Sequence, residues 1–79
     1  MPANHLRNIS LRDYQEYLNH IGCKCIRTKG GHYQYARADL LRPLTLQSHI
    51  DPVPEFIIRN HLRILGITRK DFLDTLYLM

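Results

Sequence analysis

Tryptophan is absent from this chain of 79 residues, and phenylalanine occurs only twice against five tyrosines. Hydrophobic residues make up 44% of the sequence, which suffices for one modest sheet covered by a few helices. Neither a large enclosed cavity nor a second core is expected from this composition and length. We therefore predict a single domain over residues 1–79, in which residues 1–8 form a loose N-terminal tail.

Long apolar runs are also lacking. Nowhere do about 18 apolar residues follow one another, as a membrane-spanning helix requires, and the N-terminus has no apolar segment that suits a signal peptide. The chain is therefore expected to be a cytoplasmic protein that makes no membrane contact. Cysteine is scarce too: Cys23 and Cys25 lie too close together for an ordinary disulfide, and we expect both to be reduced.

Signatures of metal and cofactor binding are missing as well. Cys23, Cys25 and His32 offer three ligands, whereas a structural zinc normally takes four and spaces its cysteine pairs as C-x₂₋₄-C. The Lys-Gly-Gly run at residues 29–31 has neither the spacing nor the following helix of a phosphate-binding loop. The sequence therefore predicts no metal and no cofactor.

Positive charge, by contrast, is concentrated in one segment. The net charge is +4, and residues 24–42 hold the whole excess, because basic and acidic residues balance elsewhere. Asp39 is the one acid in that segment, against Lys24, Arg27, Lys29, Arg37 and Arg42. Neutralised phosphates release counterions, so a local basic stretch favours a polyanion. The segment predicts a nucleic-acid-binding surface, with a merely solvated face as the alternative.

Two helix starts share one local pattern. Ser10 and Thr68 each suit an N-cap, with an Asp three residues later and apolar residues placed to pack across the first turn. They predict helices over about residues 11–21 and 69–77. A third helix is predicted between them, with Pro54 in its first turn and Gly66 as the residue that ends it.

The segment between the first and second helices has no helical period and is rich in Tyr and Thr. Its Gly-Gly break favours a hairpin turn, and strands fit about residues 24–29, 32–37 and 42–47. In the second strand Tyr33 and Tyr35 face one side, and His32 faces the other with Gln34. The faces of the first strand stay unassigned, because Cys25 and Ile26 are adjacent.

The order of these elements predicts the fold class. Helix, three strands, helix and a short C-terminal helix indicate an α+β domain. In this arrangement an antiparallel three-stranded sheet carries its helices on one face.

His32 is the main candidate for chemistry among the five histidines. It follows two glycines and Lys29 in the basic segment, so its imidazole is placed to meet a bound phosphate. Histidine exchanges protons near neutral pH, and the ribose 2′-OH is itself the nucleophile in metal-free RNA cleavage. Tail, surface or capping roles suffice for His5, His20 and His61. His49, in a loop, is a secondary candidate whose alternative role is to cap a turn, and Lys24 is a secondary RNA contact.

Three runs of residues share their order and spacing with a known family. They are Gly22 with Ile26-Arg27-Thr28-Lys29-Gly30-Gly31-His32, then Arg42-Pro43-Leu44-Thr45-Leu46 with His49, and then Val53-Pro54, Ile58, Leu62, Leu65-Gly66-Ile67-Thr68 and Asp71-Phe72-Leu73. Over about residues 11–76 the chain thereby resembles the HicA-type mRNA interferases, which are toxins of type II toxin–antitoxin systems.

The resemblance implies a fold like that of double-stranded-RNA-binding domains, an endoribonuclease activity on mRNA, and inhibition by a HicB-type antitoxin protein. It also implies that the family's catalytic histidine falls on His32. Gly31 stands where the family usually has Ser or Thr. Either a phosphate hydrogen bond is lost there, or the flexible Gly brings backbone N–H groups closer to the phosphate.

Taken with the charge pattern, the resemblance predicts metal-independent acid–base catalysis by His32. The predicted RNA contacts are Arg27, Lys29, Gly30, Gly31, Arg37 and Arg42. The alternative is a non-catalytic module of the same fold that binds RNA or another protein. Fold alone does not distinguish the two, because the same basic residues would contact double-stranded RNA.

Overall fold

The computed structural model describes residues 6–79. Their elements, in chain order, are α1 (Leu11–His20), β1 (Lys24–Lys29), β2 (His32–Ala36), β3 (Leu44–Gln47), α2 (Glu55–Leu65) and α3 (Arg69–Leu78). The strands form one antiparallel sheet in the order β1-β2-β3. This confirms the predicted α+β class and element order. β3 begins later than predicted, just after Pro43, which has no N–H to donate to a strand ladder.

Both predicted N-caps are confirmed. The Ser10 hydroxyl accepts the N–H of Asp13 at 3.0 Å, and the Thr68 hydroxyl accepts the N–H of Asp71 at 3.1 Å. Each bond satisfies one of the backbone donors that a helix start leaves without an intrahelical partner. Gly66 ends α2 in the left-handed conformation, with φ of 71°, as its position after the last apolar residue predicts.

The helices cover one side of the sheet. β3 alternates between buried Leu44 and Leu46 and exposed neighbours, which identifies its covered side. The register pairs Tyr35 with Leu44 and Tyr33 with Leu46, so both tyrosines face the helices. His32 lies on the opposite, uncovered side, as the alternation along β2 predicts.

A cluster of rings forms the centre of the core. Tyr17 meets Phe72 edge-on with ring centroids 4.6 Å apart, and Tyr14 meets the same ring at 5.9 Å. Tyr14 and Tyr17 come from α1 and Phe72 from α3, so the first and last helices pack through these aromatic contacts. Such pairs add about 0.5–1.5 kcal/mol beyond the area that they bury.

His61 lies inside this core, with 4% of its surface exposed. The expected surface or capping role is therefore wrong, because His61 is on the same face of α2 as buried Ile58. Burial lowers the pKa of His61 to about 4, against a weaker opposing effect from a hydrogen bond to the backbone of Thr45. That bond uses the imidazole N–H, so Nδ1 accepts the Tyr14 hydroxyl at 2.7 Å.

The predicted N-terminal tail is not correct at Leu6. Leu6 is a core residue with 1% of its surface exposed, and Ile9 packs into the same cluster. The carbonyl of Ile9 also accepts the N–H of Val53 at 2.9 Å, which fixes this segment beside the start of α2. Apolar side chains near the terminus are thus drawn into the small core. His5 lies outside the described residues.

Acid is expected to destabilise the fold through His61. Its folded-state pKa of about 4 lies below the ordinary 6.5, so the neutral ring contributes stability that is complete above about pH 6.5. This contribution is lost as the pH falls through about 4. The difference corresponds to about 3 kcal/mol. Urea unfolding at pH 7.5 and at successively lower pH measures it.

The double variant Tyr14→Phe with His61→Leu is the informative comparison, because it removes the titrating ring together with its hydroxyl partner. Its unfolding free energy should depend less on pH than that of the wild type. His20→Ala, which removes an exposed histidine, should leave the wild-type pH dependence in place. Equal pH dependence in the double variant and the wild type would contradict the assignment to His61.

Candidate functional site

The site is organised by a two-residue turn between β1 and β2. Gly30 and Gly31 have φ of 60° and 77°, and a tight turn with two positive φ values matches the right-handed twist of a hairpin. Residues with a side chain rarely adopt this conformation, so the glycines allow the turn. The turn places Lys29 directly across from His32.

Three predicted site residues near the turn lie on one side of the sheet. Lys29 pairs with His32 and Arg27 with Gln34, and His32 and Gln34 alternate with the tyrosines that face the core. A bulge between Cys25 and Arg27 adds Ile26 to β1. This irregularity explains why the sequence alone does not assign the faces of that strand.

We call this uncovered side of the sheet the basic face. It consists of Lys24, Arg27, Lys29, His32, Gln34, Thr45 and Gln47. The three strands contain no acidic residue. The positive charges of β1 are therefore not opposed by carboxylates on the strands beside them, and the face suits an anion.

His32 is oriented by a hydrogen bond to the turn that precedes it. Its Nδ1 lies 3.0 Å from the carbonyl oxygen of Gly30. A carbonyl only accepts, so Nδ1 carries the proton and donates it. The other ring nitrogen, Nε2, is then the acceptor of the neutral imidazole. This is the tautomer that a general base needs.

His49 lies at the same end of the sheet. A Cβ at position 31 would be 3.6 Å from Nδ1 of His49 and 3.8 Å from the hydroxyl of Ser48. The Ser48 N–H also donates to the Gly31 carbonyl at 2.8 Å, which holds this segment against the turn. The secondary candidate His49 is thus beside the residue that precedes His32. In the sequence, the one signal that points to Ser48 is its position directly before His49.

The remaining basic candidates lie at the other end. Arg37 follows β2 and Arg42 precedes β3, while Lys24 pairs with Ala36. Four residue steps separate Ala36 from His32, or roughly 13 Å of extended strand. The structure therefore does not bring Arg37, Arg42 or Lys24 to His32.

Arg37 already has partners. Its guanidinium donates to both carboxylate oxygens of Asp39, at 2.6 and 2.9 Å, and to the carbonyl of Ile21 at 3.0 Å. The hydrogen bond from Arg37 lowers the pKa of Asp39 below its ordinary value. Ile21 is the C-cap of α1, so Arg37 satisfies a carbonyl at the end of that helix. A count of charges along the chain does not reveal this structural role.

A pocket of about 250 Å³ opens beside His32, between β3 and the start of α2. Its walls include Leu11, Leu46 and Val53, and Gln47 and Phe56 stand at it as well. A larger hollow of about 720 Å³ lies between the ends of α1 and α3. That hollow contains Glu16 and none of the predicted site residues. The smaller pocket is therefore the one that belongs to the site.

Within residues 6–79, no three His, Cys, Asp or Glu side chains are grouped so that they would hold a metal ion. Cys23 is buried, Cys25 is exposed, and both are free thiols. In the same part of the chain, no helix has the length and apolarity needed to span a bilayer. Comparisons with protein-family models, curated proteins and solved structures gave no match.

Lys29 and Arg37 are expected to respond differently to replacement by Ala. Lys29→Ala should weaken binding of single-stranded RNA and lower the slope of log K against log salt by about 1, because one phosphate contact is lost. Arg37→Ala should leave that slope unchanged and cost about 1 kcal/mol of stability, because its bond to Ile21 is lost. Fluorescence anisotropy between 50 and 200 mM salt and urea unfolding measure the two effects.

Arg59→Ala is the matched control, since it removes the same charge from α2, where Arg59 pairs with Glu55. It should alter neither quantity appreciably. A salt slope that falls as much in Arg37→Ala as in Lys29→Ala would place phosphate at both ends of the sheet and contradict a binding site confined to the turn.

Proposed function

We propose that this chain is an endoribonuclease toxin of the HicA type, a cytoplasmic mRNA interferase on a fold like that of double-stranded-RNA-binding domains. The observation that carries the proposal is the placement of His32 opposite Lys29, on the same face as Arg27, at a glycine turn. That placement puts a proton acceptor beside cations that attract phosphate.

The reaction assigned to the site is transfer of a phosphodiester within the RNA. Lys29 and Arg27 bind the phosphate, and Nε2 of His32 takes the proton of the neighbouring 2′-OH. The 2′-oxygen forms a bond to phosphorus as the bond from phosphorus to the 5′-oxygen breaks. The products are a 2′,3′-cyclic phosphate and a 5′-OH, and no metal ion takes part.

The Gly30 carbonyl assists this step. Its hydrogen bond with Nδ1–H fixes the orientation of the imidazole and leaves Nε2 as the nitrogen that takes the proton. The proposal takes backbone N–H groups of the Gly30–Gly31 turn as further donors to the phosphate, which the flexible glycines allow to come close. It does not require a side-chain hydroxyl at position 31.

His49 is assigned the second proton transfer. The departing 5′-oxygen needs a proton, and His49 is an exposed imidazole beside Gly31, the residue that precedes His32. A separate acid and base let both proton transfers occur in one turnover without reorienting a single ring. His32 is the main acid–base residue, and His49 donates the proton that the departing 5′-oxygen takes up.

A HicB-type antitoxin is the proposed partner. All six residues of β1 are exposed, so the basic face is open to a second protein. An acidic or substrate-like surface on that partner would complement the face and cover His32. Inhibition would then follow from exclusion of RNA.

The decisive test compares RNA cleavage by wild type and His32→Ala in EDTA. The wild type should cut, and the variant should bind RNA with a rate of cleavage lower by about 10²- to 10⁴-fold, because the base is gone. His20→Ala is the matched histidine control and should cut normally. Loss of wild-type cleavage in EDTA would rule out the metal-free reaction.

Two other results would also overturn the proposal. Equal cleavage by His32→Ala and wild type would remove His32 from the reaction. Binding of RNA by the wild type with no cleavage would favour the non-catalytic module. In a bacterial host, the toxin predicts growth arrest that His32→Ala relieves, whereas a binding module predicts growth that is indifferent to this change.

His49→Ala tests the assignment of the leaving-group acid. We expect RNA affinity close to that of the wild type, cleavage slower by about 10²-fold, and loss of the alkaline limb of the pH–rate profile. Initial rates between pH 5 and 9, with an end-labelled RNA, measure this. A bell-shaped profile that persists in His49→Ala would show that another group donates the proton.

A further inference from the structure

The pocket beside His32 has the form of a site for one flat, mostly apolar group. Its volume of about 250 Å³ lies just below the roughly 300–1,000 Å³ of pockets for drug-sized ligands. Buried Leu11, Leu46 and Val53 supply apolar walls. The pocket is too small for a helix or a loop of a partner protein, and a single ring system suits it.

The far wall of this pocket is held in place by hydrogen bonds from two backbone N–H groups. The N–H of Leu11 donates to the Asp51 carboxylate at 2.9 Å, and the N–H of Val53 donates to the Ile9 carbonyl at 2.9 Å. These bonds tie the loop before α2 to the start of α1. The pocket is therefore preformed, so a ligand does not have to order it.

Phe56 adds an aromatic surface at the mouth. It is 64% exposed, and it belongs to the first turn of α2. Exposed aromatic rings are the common stacking surface for unpaired bases, since every base has a π face. Nothing in the core requires a phenylalanine there.

Polar groups lie where the edge of a base would be. Gln47 pairs directly with His32 across the strands, and both residues line the pocket. Thr45 is also at the pocket, and its hydroxyl donates to the side-chain oxygen of Gln34 at 3.2 Å. The hydroxyl oxygen can still accept a hydrogen bond from a bound base. Amide and hydroxyl groups of this kind read the edges of unpaired bases.

We propose that this pocket binds the base of the nucleotide adjoining the phosphate at His32, with the base stacked on Phe56 and its edge toward Gln47. The inference rests on the proposed function, because it takes the RNA as already held on the basic face. His32 connects the two, since it belongs to both the basic face and the pocket wall. Base preference at the cleaved position is thereby assigned to Gln47 and Thr45.

The test uses fluorescence anisotropy with 2′-O-methyl oligonucleotides, which cannot be cleaved because the 2′-oxygen is blocked. The probes are four homopolymer octamers and one octamer of abasic sugar-phosphate. The wild type should bind at least one homopolymer more tightly than the abasic octamer. Phe56→Ala should weaken binding of that homopolymer by about tenfold to a hundredfold and leave the abasic octamer unaffected.

Matched variants separate stacking from loss of fold. Tyr77→Ala removes an aromatic ring of similar exposure, 62%, from α3, away from the pocket, and should bind every probe as the wild type does. Phe56→Trp keeps a stacking surface and should retain the preference for base-bearing probes. Gln47→Ala should change the order of preference among the four homopolymers.

Three outcomes would overturn the inference: equal affinity of the wild type for the abasic and base-bearing probes, unchanged binding by Phe56→Ala, or no binding of any probe. The first two, together with normal cleavage in EDTA, would leave the ribonuclease proposal standing and remove only the pocket. Base-dependent binding that needs Phe56, in a protein that cuts no RNA, would support the pocket and reject the nuclease.

Discussion

The hydrogen bond between the Tyr14 hydroxyl and Nδ1 of His61 is the contact on which this arrangement depends most. It joins α1 to α2 at 2.7 Å inside the core, and the bond from His61 to the backbone of Thr45 joins α2 to β3. Either polar group without its partner would cost about 1–3 kcal/mol. These directional bonds add a fixed orientation to the non-directional apolar contacts around them.

The two sides of the sheet have different roles. The covered side contributes tyrosines and leucines to the core, and the uncovered side presents Arg27, Lys29 and His32. The period of two along each strand keeps these sets apart, and the turn at Gly30 fixes their register. The pocket near Phe56 lies where the two sides meet, at the edge strand. A bound RNA would therefore contact charge along its backbone and apolar walls at one base.

Features decided by neighbouring residues could be predicted from the sequence. The caps at Ser10 and Thr68 depend on residues three positions away, and the alternation of β2 follows from its own pattern. Features decided by distant residues could not be predicted. The bulge at Ile26 reflects pairing with β2, Arg37 is held by the end of α1, and His61 is buried by elements remote in sequence. Of the candidate site, the turn and its histidine were predictable, whereas the pocket was not.

The position of the turn also bears on how a domain of this kind can diverge. Lys29 and His32 are three positions apart in the chain and face each other, so their geometry is set within one hairpin. The connection over residues 37–43 lies at the opposite end of the sheet. Insertions there would lengthen an exposed loop and leave that geometry intact. One residue added at Gly30 would lengthen the two-residue turn and shift Lys29 relative to His32. Length variation among descendants of this chain is thus permitted at one end of the sheet and opposed at the other.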